Sequence, residues 1–308
     1  MRKTVNITTT ISGWIKLSRP PFHTVGMFPF ILGALLAWRL ENTFDATVFI
    51  LGISAVILTM LSTYHSGEYS DYQEDIISQK IHKNRFAGGS GVFPSEIIPR
   101  RAALWTSLVS ITIAGIIGLV LQFGLKTGQY TILLGAAGLF FGFFYSTKPV
   151  RLVSSGLGEL TIGLCYGWLP VAVAFYIQTG YINPIIHWIA LPIGMTIFNV
   201  ILLNEFPDYP ADKKAGKKNM LVRLGIKRGV AIYSAVSILA WIAMFLSLKA
   251  GVPFKALYLY IPVMVLSAVI VVAVLNGKYK KHSSLEVLCG LNIAVNLGTT
   301  GSYILAFI

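Results

Sequence analysis

The chain has 308 residues, 55% of them hydrophobic and only 12% charged, at a mean hydropathy of +0.70. That composition excludes an ordinary soluble domain and fits a polytopic membrane protein. A formal net charge of +13 first suggests nucleic acid, but in so apolar a chain membrane topology accounts for it, and no nucleic-acid partner is expected.

Residues 1–20 carry Arg2, Lys3, Lys16 and Arg19 without the apolar core and cleavage site of a signal peptide. Nine apolar segments of spanning length follow, near 22–40, 47–67, 102–122, 128–147, 156–178, 184–204, 229–248, 254–275 and 285–307. They predict an all-α integral membrane protein, nine transmembrane helices bundled around a central cavity in one domain over 1–308. Alternation sorts the loops into two sets. Of the 25 Lys and Arg, only Arg39, Lys126, Lys249 and Lys255 fall in the second set. The positive-inside rule therefore places the N-terminus and the loops at 68–101, 148–155, 205–228 and 276–284 in the cytoplasm. The C-terminus of this cell-membrane protein falls on the opposite side.

Two of the cytoplasmic loops open on related octets. Residues 68–75 read E-Y-S-D-Y-Q-E-D and residues 205–212 read E-F-P-D-Y-P-A-D, so Glu68, Asp71 and Asp75 match Glu205, Asp208 and Asp212 at an offset of 137 residues. The offset implies a parallel internal repeat, approximately 22–147 and 156–275, with 285–307 as an addition. Facing halves would bring both octets over one cavity. On a helix, positions i, i+3 and i+7 share a face, so Glu68, Asp71 and Asp75 should project together. Such carboxylates repel unless a cation intervenes. Hard oxygens suit Mg²⁺, which takes one or two carboxylates plus substrate phosphates; two facing clusters could hold two ions bridged by a diphosphate. Pro207 and Pro210 should kink or end the sixth segment, because proline removes a backbone donor and strains a helix interior.

Basic residues trail each octet: Lys80, Lys83 and Arg85 before G-G-S-G at 88–91, then Lys213, Lys214, Lys217, Lys218 and Arg223. Most read as ordinary cytoplasmic charge. Arg85 and Arg223 are the better candidates for a diphosphate, which arginine grips with two bonds. The glycine run lacks the G-x-x-x-x-G-K-[ST] pattern of a P-loop and reads as a loop able to close over a ligand. In Y-S-T-K-P-V-R at 145–151, Tyr145, Lys148 and Arg151 are candidates for the cavity mouth. Glu159, early in the fifth segment, is costly in a membrane and should either structure the cytoplasmic rim or touch substrate. Asn204, Asn292 and Asn296 are weaker candidates, since amides often join membrane helices. His65 and His187 lack metal-ligand spacing and read as packed or interfacial. Cys165 and Cys289 make no CxxC pair, so neither a disulfide nor a thiolate metal site is expected.

Taken together, these motifs resemble the UbiA superfamily of intramembrane prenyltransferases. The family's N-x-x-x-D-x-x-x-D pattern falls on Gly67, Asp71 and Asp75, with glycine for asparagine and Glu68 as a substitute oxygen, and again on Asn204, Asp208 and Asp212. K-K-N-M-L-V-R-L-G at 217–225, Y-S-T-K-P-V-R-L, G-L-G-E-L, S-R-P-P-F at 18–22 and N-R-F-A-G-G-S-G at 84–91 are similar to the family as well. The resemblance implies a bundle with a lateral opening to lipid. Mg²⁺ on Asp71, Asp75, Asp208 and Asp212, with Glu68, would hold a polyprenyl diphosphate. Lys148 and Arg85 would stabilise the departing diphosphate, and Asn204, Tyr145, Arg151, Glu205 and Arg223 would bind substrate. Tyr64, Tyr72, Phe144 and Tyr145 are candidates to shield an allylic cation. G-L-G-E-L and the glycine-rich first loop look most like the branch that makes menaquinone, with 1,4-dihydroxy-2-naphthoate as acceptor; 4-hydroxybenzoate, homogentisate, geranylgeranylglyceryl phosphate and porphyrins remain alternatives. No obligate protein partner is expected. A transporter and a non-catalytic prenyl-lipid binder are the readings from other classes.

Overall fold

A computed structural model describes residues 7–81, 86–93 and 97–308, and the described residues contain helices and no strand. A first helix, α1 (Ile7–Ser18), exposes Ile7, Ile11 and Ile15 along one stripe and buries Gly13 and Leu17 on the other. That is the pattern of a helix lying in an interface plane. The bundle follows: α2 (Pro20–Glu41), α3 (Ala46–Ser70), α4 (Tyr72–Ile81), α5 (Arg100–Leu119, extended by a π turn to Gly124) and α6 (Thr131–Phe143). The second half holds α7 (Gly158–Gly163), a π turn over Leu164–Trp168, α8 (Leu169–Thr179), α9 (Ile185–Lys214), α10 (Met220–Leu224), α11 (Ile226–Lys249), α12 (Lys255–Leu275) and α13 (His282–Phe307).

Every predicted apolar segment lies on a helix, but among the described residues seven helices are long and apolar enough to cross a membrane. The fourth segment yields only the 13 residues of α6, roughly 20 Å of rise. The ninth, α13, is long enough but carries Asn292, Asn296, Thr299 and Thr300, all buried in the bundle.

The central column is α9. Sixty-seven per cent of its apolar window is buried, against 22% for α3 and α5, whose outer faces remain apolar and suit lipid. Ile186, Ile189 and Ile193 of α9 meet Leu32 and Leu36 of α2, Val171 and Phe175 of α8, and Tyr303 of α13 in one core. Gly194 lets α9 approach the turn after α7 closely: a Cβ there would press on the backbone of Gly163, a close contact of the small-residue kind found between membrane helices. In the first half α3 packs chiefly on α5, and in the second α9 packs chiefly on α11.

The two octets differ in how they continue their helices. The proline-free octet is the interrupted one: α3 ends at Ser70, Asp71 sits at the break, and α4 resumes at Tyr72. The i→i−4 bonds from Asp71 N to Gly67 O (2.8 Å) and from Asp75 N to Asp71 O (2.9 Å) bridge the break, so the octet keeps its direction. By contrast α9 neither ends nor stops short at Pro207 and Pro210 but runs on to Lys214. Proline at 207 removes the donor that would reach Leu203 O, and the Cys289 thiol of α13 takes its place at 3.7 Å. Neighbouring helices can re-satisfy backbone in this way.

Candidate active site

A cavity of about 200 Å³ opens where α3, α4, α9 and the glycine-rich loop meet. Its wall includes Glu68, Asp71 and Asp75 from the first octet and Asn204, Glu205, Asp208 and Asp212 from the second. Tyr145, Gly67, Gly88 and Gly89 also line it. Six carboxylates separated by up to 144 positions in the chain thus share one space.

Most of these carboxylates have specific partners. Asp71 accepts from Ser146 Oγ at 2.7 Å and Arg151 Nη2 at 2.9 Å, and Arg151 also pairs with Glu74. Burial opposes charge on Glu74, but the Arg151 guanidinium outweighs it and holds the carboxyl below its usual range. Asp208 accepts from Gly88 N at 2.9 Å and from Ser78 Oγ. Asp212 accepts from Asn219 Nδ2 at 2.8 Å and lies 3.5 Å from Lys217 Nζ. The carboxylate of Asp75 receives no hydrogen bond from any described residue. Burial, with Glu68 next in effect, holds its pKa well above the usual carboxylate value. Gly89 abuts it so closely that a Cβ would overlap the carboxyl, and Gly89 has a φ of +70° that suits only glycine.

Arg19 donates to Glu68 Oε1 from Nε (3.2 Å) and Nη2 (2.8 Å), and Ser90 donates from its backbone N and its hydroxyl. Through these bonds Glu68 anchors the glycine-rich loop while still lining the cavity. The side-chain space at Gly67 borders Ser146.

Three basic candidates do not reach the cavity wall. Lys148 is exposed beyond the end of α6. Arg223 is also exposed; its Nε donates to Lys218 O at 2.7 Å and its side chain lies against Gly156. Arg151 acts on the rim through Asp71. Arg85 lies outside the described residues. Among the aromatic candidates Tyr64 and Tyr145 line the cavity, joined by Phe22, Phe86 and Tyr166. Phe144 packs on Phe140 and Phe143, and Tyr72 lies against Phe93 and the Arg100 guanidinium. His65 bonds Thr106 at 2.6 Å as a packed histidine.

Two cations that the sequence reading passed over line the cavity: Arg19, which holds Glu68, and Lys217. Gly216 takes a φ of +74°, Lys217 N donates to Asp212 O (2.9 Å) and Gly216 N to Lys213 O (3.3 Å). This is a Schellman close to α9, and it turns Lys217 back into the cavity. Burial alone would lower the Lys217 pKa, but Asp212, Asp71, Asp208 and Glu205 raise it well above the usual lysine value. K-K-A-G-K is a helix-end signal, but it is legible only if α9 is known to survive its prolines. Because Lys148 stands outside this group, Lys148→Ala should leave donor KM and kcat within about twofold in a steady-state assay, as surface changes usually do.

Beside the polar cavity lies a second one of about 180 Å³, lined by apolar and small residues of α3, α5, α6 and α8 and sharing Thr63 and Tyr166 with the first. The carboxylate oxygens of the two octets suit a hard divalent cation, and the Asp75 carboxylate accepts no bond from any described residue. Among the described residues no three Asp, Glu, His or Cys side chains stand close enough to enclose an ion by themselves. Such an ion would need oxygens from a ligand, as is usual for Mg²⁺.

Known proteins resemble this chain in sequence and in fold. The chain is 26% identical over 227 residues to a 1,4-dihydroxy-2-naphthoate octaprenyltransferase of Bacillus subtilis, covering 74% of this chain and 70% of that one. It is 29% identical over 239 residues to UbiA prenyltransferase domain-containing protein 1 of Dictyostelium discoideum, covering 76% and 71%. It is also 26% identical to a 2-carboxy-1,4-naphthoquinone phytyltransferase of Synechocystis, covering 78% and 73%. In fold it matches a digeranylgeranylglyceryl phosphate synthase with a TM-score of 0.68 at 16% identity, covering 97% and 99%. It also matches an Archaeoglobus fulgidus UbiA homologue bound to GPP and Mg²⁺, with a TM-score of 0.61 at 15% identity, covering 95% and 99%. The model of the UbiA prenyltransferase family matches residues 26–294. A match that reaches from α2 well into α13 takes in both halves of the bundle and both octets, so the chain belongs to the UbiA prenyltransferase family and is a prenyltransferase.

Proposed function

We propose that the chain transfers a polyprenyl group from its diphosphate to an aromatic acceptor of the 1,4-dihydroxy-2-naphthoate class. The observation that carries this reading is the convergence of both octets on one polar cavity beside an apolar one. The names of the Bacillus and Synechocystis relatives favour a naphthoate-type acceptor; the glyceryl phosphate synthase supports the fold alone.

In this reading Asp71, Asp75, Asp208 and Asp212 hold Mg²⁺, as two ions, against the donor diphosphate. When bound, the metal neutralises the negative charge that grows on the diphosphate as the allylic C–O bond breaks. Lys217 adds a fixed positive charge at the same place, in a site with little water where such charge is most effective. Arg151 and Ser146 orient Asp71; Ser78 and the Gly88 N–H orient Asp208; Asn219 orients Asp212. Glu68, through Arg19 and Ser90, anchors the loop that carries Gly88 and Gly89. Tyr64, Tyr145 and Tyr166 present ring faces to the allylic cation, and the apolar cavity takes the isoprenoid chain. The site faces the cytoplasm, in keeping with the basic loops around it. The matched pairings of α3 with α5 and α9 with α11 support one domain of two related halves.

The test is diphosphate release from geranylgeranyl diphosphate by purified protein, with Mg²⁺ or EDTA, across a panel of acceptors. Magnesium-dependent release with the dihydroxynaphthoate is the expected result. Release with geranylgeranylglyceryl phosphate or 4-hydroxybenzoate instead would reassign the acceptor. No release with any acceptor, in folded protein, would overturn the enzyme reading and leave a binder or a transporter.

A further inference from the structure

One pair of acids at the cavity is unused by this scheme. Glu159, at the start of α7, is 1% exposed, and Glu205 of α9 is 8% exposed. Glu159 Oε1 accepts from Met220 N at 2.9 Å. The Oε2 atoms of Glu159 and Glu205 are both buried with no donor among the described residues, and the two carboxyls lie within hydrogen-bonding reach of each other. Two carboxylates can make that bond only when one of them carries a proton, and leaving both charged and unbridged in a buried site is costly. Glu205 also lines the cavity, whereas Glu159 stands behind it. The charged and titratable groups that act on the pair are Lys217, Asp212 and Tyr145; Asp71 and Asp208 act on Lys217.

We propose that Glu205 is the base that takes the acceptor's proton, and that Glu159 is a positioning residue that shares a proton with it. This rests on the prenyl-transfer reading above. The donor's C1–O bond breaks first, with its electron pair leaving on the diphosphate. As a ring carbon of the acceptor then attacks the allylic cation, the new C–C bond forms to C1, the ring hydroxyl's O–H bond breaks with its proton passing to Glu205, and the oxygen becomes a carbonyl. The pair then holds two protons and no charge. The ring is restored when the attacked carbon loses its hydrogen as a proton, or its carboxylate as carbon dioxide, and the carbonyl oxygen takes a proton back from the pair. A pair that begins with one shared proton and one negative charge is suited to this step, because it gains a proton without leaving a second charge buried. Among the other described carboxylates of the wall, Glu68, Asp71, Asp208 and Asp212 are held by donors, and a metal would claim Asp75.

The test has two arms. In infrared difference spectra of Mg²⁺-loaded protein against each variant, the wild type should show a protonated-carboxyl band that shifts in heavy water and vanishes in both Glu205→Gln and Glu159→Gln. Neutral loss of packing would not remove it. In kinetics, Glu205→Gln should lower kcat by ~10²-fold or more, the usual range for a general base, with the KM for prenyl diphosphate unchanged. Glu159→Gln should cost less, since its amide can still bond Glu205. A wild type without the band, or a Glu205→Gln enzyme with wild-type kcat, overturns the proposal. If the wild type transfers to no acceptor, the function reading fails on its own, and the infrared arm still decides the shared proton.

Discussion

Asp75→Asn should lower prenyl transfer by ~10²–10³-fold, the usual cost of removing one preorganised electrostatic contact, while the protein keeps its thermal stability. Among the cavity carboxylates Asp75 gives the most direct test of the metal role. Asp71, Asp208 and Asp212 each hold structural donors, so their loss mixes chemistry with folding. Asp75 accepts from no described residue, and its carboxyl is held up by burial and by Glu68. An amide there should relieve the buried charge in metal-free protein and cost little stability. The measurement is Mg²⁺-dependent diphosphate release beside a thermal melt in detergent. Wild-type turnover in this variant would sink the metal role given to the first octet.

Lys217→Met should cost both activity and stability. The ammonium lies within ion-pair distance of Asp212 and under the influence of Asp71, Asp208 and Glu205. Removing one partner of such a group leaves uncompensated buried charge, on the order of 3–5 kcal/mol. Transfer should fall by a further ~10²-fold through the lost charge beside the leaving diphosphate. Saturating Mg²⁺ should return part of the melting temperature, because a divalent cation can replace the missing charge among the carboxylates. Lys217→Arg keeps the charge and should restore the melt. Unchanged turnover in Lys217→Met, at full folding, would remove the lysine from the site.

Much of this was written locally. Apolar runs marked the helices because lipid leaves the backbone no alternative, and the repeated acids marked the cavity because matched charge beside a membrane needs a purpose. Glu159 was singled out for its cost alone, and burial behind Glu205 now gives it a partner. The errors share one cause. Pro207 and Pro210 were given their intrinsic effect on a helix, so α9 was expected to falter before the close at Gly216 that delivers Lys217. Arg223 was favoured for the two bonds an arginine can make and Lys148 for its place at the end of the fourth segment, but both are exposed and neither lines the cavity.

From its residues alone, this chain specified an all-helical membrane protein, the two acidic octets and the family to which they belong. These depend on composition, spacing and residue type, which are properties of short stretches. Which cation enters the cavity, which acid is clamped by Arg19 and Ser90, and which two carboxyls must share a proton are properties of contacts. Each joins residues brought together only by helix packing: Glu68 with Ser90 and Arg19, Asp208 with Gly88, and Glu205 with Glu159. A charged side chain's role depends on what surrounds it, and burial with its neighbours is set by the packed bundle.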